Sequence, residues 1–200
     1  MELEEAIRGR RSVRRFDGRR VASEVVRELA EAAALAPAPH HTHPWRLIVL
    51  SADARHRLVE AMQDVWRRDL EGDDTPPEEV ARRLERSRRR LLDAPLLLLA
   101  CLDMSQAHPW PDERRRRAER DMFVQSLGAA LQNLQLLAHA RGLGSCLLGA
   151  PLFCQEAVRE ALLLPPSWEP MFLVEVGYPD PCYRPRVRPS PALETILREI

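Results

Sequence analysis

Apolar residues recur along the chain in two patterns, one with a helical period and one in short continuous runs. Apolar residues three or four positions apart predict helices that bury one face, and the continuous runs predict buried strands. Helices are predicted over residues 2–9, 23–35, 52–70, 78–92, 112–141 and 155–163. Strands are predicted over residues 45–50, 96–102, 144–148 and 172–176.

Four segments carry further predictions. The apolar runs 47–50 and 96–102 lack polar alternation, which is typical of strands buried on both faces, and the second is expected at the centre of the sheet. The helix over 112–141 is apolar over much of its circumference, so we expect it to be buried in the core or against a partner chain. Residues 179–191 contain five prolines and are expected to run over a surface, either their own or a neighbour's.

Composition narrows the class of protein. The length of 200 residues predicts a single domain over 1–200, and the formal net charge of +0 argues against a binder of polyanions such as nucleic acid. All basic residues are arginine, which excludes Schiff-base lysine chemistry and the P-loop lysine. No apolar run reaches the roughly 20 residues that a bilayer requires. The N-terminus is charged from Glu2 onward, so we expect a cytoplasmic protein without a signal peptide.

A compact basic stretch near the N-terminus is the first candidate site. It contains Arg10, Arg11, Ser12, Val13 and Arg14, and an aromatic residue follows shortly after. The planar guanidinium group donates two parallel hydrogen bonds to phosphate oxygens, so the stretch predicts a site for a phosphorylated ligand. Nucleic acid, a membrane and a small cofactor all remain open on this evidence. The other arginine runs, 82–83 and 88–90, alternate with glutamate and are interpreted as a solvated helix face.

Three histidines in the loop over residues 37–44 form the second candidate site. His40, His41 and His43 could bind a metal ion, but no acidic residue or cysteine lies nearby in sequence. We therefore predict no metal and favour a hydrogen-bonding loop at a small-molecule site. The four cysteines are scattered and predict neither a metal site nor a disulfide framework. The sequence has no motif for a catalytic nucleophile and no G-x-G-x-x-G dinucleotide-binding loop after a strand. The remaining candidate is a phosphate site formed by side chains.

The order of these motifs resembles the flavin-dependent nitroreductase family. Its R-x-S-x-R/K stretch corresponds to residues 10–14, and its P-x-x-x-N-x-Q-P-W loop corresponds to APAPHHTHPW at 36–45. GLGSCLLG at 142–149 and VEVGYP at 174–179 are similar to two later elements of the family. The resemblance implies an α+β fold, a three-layer sandwich with a mixed or antiparallel central sheet flanked by helices. It also implies FMN at the interface of an intertwined homodimer whose C-terminal segments are swapped.

The resemblance also implies roles for individual residues. Arg10, Arg11, Ser12, Val13 and Arg14 would contact FMN, with Arg186 adding a second phosphate contact. Leu148 and Gly149 would lie against the flavin ring, where a backbone N–H supports the reactive nitrogen. The loop of the other subunit would supply Pro37, Ala38, Pro39 and His41. A small-molecule substrate would contact Ala38, His40, Asp69 and Leu70, and the catalytic acid stays unassigned.

Two departures from the family pattern bear on the substrate. His41 and His43 replace the family's usual asparagine and glutamine. The double histidine is similar to one branch of the family, the flavin-binding domain of two-domain enzymes of coenzyme F420 biosynthesis. That branch implies reduction of an F420 precursor, with F420 as product and a separate gamma-glutamyl ligase as a possible partner. The alternatives are an NAD(P)H-dependent reductase of nitroaromatics or quinones and a non-catalytic flavin- or F420-binding protein.

Overall fold

The computed structural model describes residues 1–185, 189 and 191–199. Within them, four strands form one sheet and six α-helices surround it. The helices are α1 (Leu3–Gly9), α2 (Ser23–Ala34), α3 (Ala52–Gly72), α4 (Pro77–Leu92), α5 (Glu113–Ala140) and α6 (Gln155–Ala161). The strands are β1 (Trp45–Val49), β2 (Leu96–Asp103), β3 (Gly144–Leu148) and β4 (Trp168–Gly177).

The sheet has the order β1-β2-β4-β3, and neighbouring strands are antiparallel. Strand β2 is central and buried along its whole length. Its side chains alternate between two cores because successive residues of a strand point to opposite faces. Leu98 and Ala100 pack with α2 and α5, whereas Leu97 and Leu99 pack with α3, α4 and α6. The predicted α+β three-layer sandwich is therefore confirmed, and its sheet is antiparallel.

Two strand predictions need correction. Strand β1 was expected to be buried on both faces, but it forms an edge of the sheet and Val49 is 57% exposed. Strand β4 begins at Trp168 rather than at residue 172 and includes Pro170. Pro170 is tolerated because it pairs with Cys101 where the register shifts between Ala100 and Cys101. A proline lacks the N–H that a regular ladder needs, and bulges are among the few places within a sheet that accept it.

The N-terminal basic stretch is attached to the sheet beside β3. Ser12 forms a parallel bridge with Ser145, and the N–H of Val13 donates to the carbonyl of Ser145 at 3.0 Å. The side chain of Val13 is buried and covers Gly144. The backbone pairing thus fixes the backbone positions of the neighbouring arginines.

The long helix α5 contributes Phe123, Leu127, Leu131 and Leu134 to the core, all of them essentially inaccessible to solvent. Met122 on another face of the helix is 42% exposed. Within the described part of the chain, no helix combines the length and the apolar character needed to cross a membrane.

A substitution at Gly144 tests the attachment of the basic stretch. A Cβ at this position would lie 2.6 Å from Cβ of Val13, so Gly144→Ala forces the two segments apart. We expect a loss of about 1–3 kcal/mol in the free energy of unfolding, the usual cost of overpacking. Chemical denaturation measures it. Gly72→Ala is the control, because a Cβ there meets nothing within 4 Å, and equal stability of the two variants would contradict the structure.

Candidate functional site

A row of depressions, here called the groove, extends from the N-terminal arginines to the C-terminal half of α3. Four adjoining depressions compose it, and each shares lining residues with the next. Tyr183 joins the first to the second, Arg90 joins the second to the third, and Trp66 joins the third to the fourth. We call them in this order the basic end, the middle section, the ring section and the apolar cavity.

The basic end is a depression of about 300 Å³ lined by Arg10, Arg11, His139, Ser145 and Tyr183, among others. The guanidinium of Arg11 is held at the end of α1, where it donates to the carbonyls of Arg8 and Arg10 at 2.6 and 2.9 Å. Partial burial and the positive charges of Arg10 and Arg11 lower the pKa of His139. The local potential is therefore positive and suits an anionic group.

The middle section is the largest part of the groove, about 1090 Å³, and Arg14, Arg90, Glu175 and Arg184 contribute to its walls. Arg90 donates from Nε to Oε1 of Glu175 at 2.7 Å and from a terminal nitrogen to Oε2. It also donates to Sγ of Cys146 at 3.3 Å. Glu175 is only 1% exposed, and a carboxylate at such a position needs a charged partner.

The arginine-rich helix α4 was interpreted as a solvated face paired with glutamates. Arg82 and Arg83 pair with Glu79, and Arg89 pairs with Glu85, which confirms that interpretation for three arginines. Arg90 is the exception, because it turns toward the sheet and pairs with Glu175 across 85 positions of sequence. Arg90 therefore belongs to the candidate site, and Arg83 lines the ring section while it stays paired with Glu79.

The ring section, about 300 Å³, has Trp66, Arg86, Leu148, Ala150 and Leu173 in its walls. It leads into the apolar cavity of about 380 Å³ between α3 and the short 3₁₀ turn Ala150–Phe153. The predicted substrate contacts Asp69 and Leu70 both line this cavity.

Gly149 lies in the chain between Leu148 and Ala150, which both line the ring section. A Cβ there would approach Leu152 at 3.4 Å and Phe172 at 3.6 Å, which are ordinary contacts. Its φ of −81° is also accessible to any residue. Within the described chain, neither crowding nor backbone conformation requires glycine at this position.

The predicted histidine loop lies away from the groove. Pro37, Ala38 and Pro39 line a separate depression beside Met122 and Ala129 of α5. That helix packs on the face of the sheet opposite to α3 and α4. Within one chain, the loop and the arginine stretch therefore do not form a common site, and a contribution from the other subunit stays a prediction.

The backbone of this loop is turned rather than extended. Pro39–His41 form a 3₁₀ turn, and His40, His41 and His43 have φ values of 53°, 56° and 45°. Such left-handed conformations are uncommon for residues with side chains and cost of order 1–3 kcal/mol each. Within the described residues, no three histidine, cysteine, aspartate or glutamate side chains are grouped closely enough to hold a metal ion.

The predicted phosphate contact Arg186 lies outside the described residues. The segment before it packs on its own chain, where the N–H of Asp180 donates to the carbonyl of Arg15 at 3.1 Å and the two side chains form an ion pair at 2.6 Å. Tyr183 and Arg184 from this segment reach the middle section.

Sequence reasoning missed several groove residues, namely Trp66, Arg86, Arg90, Ala150, Glu175, Tyr183 and Arg184. One signal was available in the sequence. Glu175 is a lone charge inside the apolar run of β4, and a buried charge predicts a partner of opposite sign.

Comparison with known proteins decides the family. The model of the Nitroreductase family matches residues 7–178. The chain belongs to the Nitroreductase family. The prediction that it is an oxidoreductase of this family is thereby confirmed.

Individual relatives agree with this assignment. The chain is 27% identical over 179 residues to YfhC of Bacillus subtilis, named as an NAD(P)H nitroreductase, covering 89% of this chain and 84% of that protein. It is 28% identical over 178 residues to the nitrobenzene nitroreductase of Ectopseudomonas oleovorans, covering 72% of both. A structure from Desulfovibrio desulfuricans, described as a nitroreductase in complex with FMN, superposes with a TM-score of 0.74 at 26% identity and covers 100% of this chain and 98% of that one.

The titration of His139 tests the electrostatics of the basic end. Burial, Arg10 and Arg11 lower its pKa from 6.5, so the fold favours the neutral imidazole. The stability contributed by this histidine is thus fully present above about pH 6.5 and is lost as the pH falls toward the lowered pKa. NMR titration of the imidazole should show the lowered pKa directly.

Removing a neighbouring charge should reverse part of this shift. We expect Arg10→Ala to raise the pKa of His139 toward its ordinary value, and inorganic phosphate to raise it in the unmodified protein. Arg20→Ala, an exposed arginine elsewhere in the N-terminal region, is the control and should leave the titration unchanged. A pKa that responds equally to both substitutions would contradict a local site.

Proposed function

We propose that the protein is an FMN-dependent oxidoreductase that passes reducing equivalents from a reduced nicotinamide to a small aromatic acceptor. The observation that carries the proposal is the arrangement of the groove, which has cationic side chains at one end and an apolar cavity at the other. FMN has the same polarity along its length, from a phosphate to a flat aromatic ring. The family assignment and the FMN complex of the Desulfovibrio relative support the same cofactor.

The donors at the basic end fit the polar half of FMN. Arg10 and Arg11 would hold the phosphate, and Ser12 would donate to the hydroxylated chain. Val13 contributes by burying its side chain over Gly144, which anchors the stretch. Arg14 lies farther along the groove beside Arg90 and Glu175, where a guanidinium suits the carbonyl edge of a flavin ring.

The ring section fits the apolar half of FMN. Trp66, Leu148 and Leu173 supply flat or aliphatic surface there. Glycine at 149 is explained if a ligand approaches the backbone more closely than a side chain would permit, because the described chain makes no such demand itself. The N–H of this turn is then available to support the reactive nitrogen of the flavin.

The chemistry of the proposed reaction comes from the cofactor. When bound, FMN accepts a hydride from a reduced nicotinamide and returns it to an acceptor. For a nitro compound, one turnover converts the nitro group, the nicotinamide hydride and one proton into a nitroso group, oxidised nicotinamide and water. The chain's residues bind the phosphate, orient the ring and exclude water, and we assign no general acid.

A homodimer is part of the proposal. Met122 on α5 and the C-terminal residues Leu193, Ile196 and Leu197 leave apolar side chains exposed by 42–70%. A second subunit would cover such surface and bring its own residues 37–41 toward the groove, with exchanged C-terminal segments. This arrangement would also explain the left-handed backbone of the histidine loop as part of a ligand contact.

Two classes of acceptor are considered. The double histidine at 40–41 supports the F420 precursor that the family resemblance implies, with a separate ligase as partner. The names of the relatives support a nitroaromatic compound or a quinone. The small apolar cavity beside Gly149 favours the second class. A protein that binds flavin or F420 without turnover is the remaining alternative.

Cofactor content tests the proposal most directly. Purified protein should bind FMN and show a flavin absorption spectrum. We expect Arg14→Ala to weaken FMN binding by about 10–100-fold, since hydrogen bonds to charged groups contribute about 1.5–3 kcal/mol. Arg20→Ala should bind FMN normally, and circular dichroism should show both variants folded. A protein that stays colourless in excess FMN would exclude the proposed function.

Steady-state kinetics should then separate the acceptors. With NADH or NADPH as donor, we expect reduction of nitrobenzene or a quinone with a rate that saturates in both substrates. The F420 precursor is assayed in parallel under the same conditions. Turnover of the precursor alone would support the F420 alternative, and binding of flavin without turnover of any acceptor would support the non-catalytic one.

A further inference from the structure

The apolar cavity has the size of a subsite for one small aromatic molecule. An engineered cavity of about 150 Å³ binds benzene, and the cavity here has about 380 Å³. A substituted single ring or a two-ring system therefore fits. Val59, Met62 and Leu91 supply its apolar walls.

Two aromatic side chains that line this cavity are exposed to solvent. Phe153 is 82% exposed and Trp66 is 38% exposed. Large apolar side chains left in water favour contact with an apolar partner, and aromatic rings gain further from stacking with another ring. The geometry therefore favours an aromatic occupant over an aliphatic one.

The charges at the cavity are negative. Asp69 and Asp73 line it, and none of the arginines that the structure describes does, although the chain contains thirty basic residues. Among the described residues, neither carboxylate belongs to an ion pair. Burial and the charge of Asp69 raise the pKa of the thiol of Cys154, which lines the same cavity.

The charged residues that line the adjoining ring section are arginines, namely Arg83, Arg86 and Arg90, and further arginines line the middle section and the basic end. Arg83 and Arg90 are paired with glutamates, and four carboxylates also line the middle section. Among the described residues, the apolar cavity is therefore the part of the groove whose charged lining residues are all acidic. A ligand with a negative group would be attracted to the groove and repelled from the cavity.

We propose that the apolar cavity is the acceptor subsite and that Asp69 and Asp73 make it selective for uncharged aromatic acceptors over anionic ones. The assignment rests on the proposed function, since it names the substrate class of the same site.

A pair of acceptors with nearly the same shape tests the selectivity. 4-Nitrobenzamide is uncharged and 4-nitrobenzoate is an anion at neutral pH. We expect the wild-type enzyme to have a kcat/KM about tenfold higher for the amide, since two like charges about 4 Å from a third cost about 1 kcal/mol each in water. Raising the salt concentration should narrow the ratio, because both carboxylates are exposed to solvent.

Two variants test whether the two carboxylates cause the preference for the amide. In the double variant Asp69→Asn/Asp73→Asn, we expect the preference for the amide to fall about tenfold. Asp64→Asn, on the same helix but outside the cavity lining, should keep the wild-type ratio. A wild-type ratio near one, or a ratio that the double variant leaves unchanged, would overturn the proposal.

A binding measurement separates this proposal from the proposed function. Benzamide and benzoate are not reduced, and quenching of Trp66 fluorescence, identified by its loss in Trp66→Phe, reports their binding with or without flavin. Tighter binding of benzamide in a protein without turnover would support the subsite while the oxidoreductase proposal failed. Flavin turnover with tighter binding of benzoate would overturn the subsite and leave the oxidoreductase proposal intact.

Discussion

The groove depends on one backbone pairing, between Ser12 and Ser145. It places the N-terminal stretch beside β3, and Val13 can bury its side chain there because Gly144 has none. The arginines before Val13 then reach the basic end, and Arg14 reaches the middle section. Since β3 ends next to Gly149, one strand fixes the spacing between the cationic and the apolar parts of the groove.

The chain has no net charge but distributes its charges unevenly. On α4, Arg82, Arg83 and Arg89 are neutralised by glutamates of the same helix, which leaves that face without a strong field. Arg90 instead compensates the buried Glu175 at the floor of the groove. Pairing within the helix and pairing across the sheet thus neutralise all four of these arginines.

The helices and most strands could be predicted because their periods are local properties of the sequence. The position of β1 in the sheet could not, because a continuous apolar run does not reveal how many neighbours a strand has. The bulge that admits Pro170 and the pairing of Arg90 with Glu175 depend on partners far away in sequence. For the candidate site, the basic stretch could be predicted from residue chemistry, whereas the walls supplied by α3 and α4 could be identified only from the fold.

The environment of Cys154 affects how readily a product of the proposed reaction would inactivate the protein. Two-electron reduction of a nitro group yields a nitroso compound, an electrophile that thiolates attack. Cys154 lines the cavity where this product would form. Only the thiolate is a strong nucleophile, and both burial and the charge of Asp69 hold this cysteine in its thiol form. Under the proposed function, the carboxylate would thereby also slow the covalent attack of Cys154 on the product.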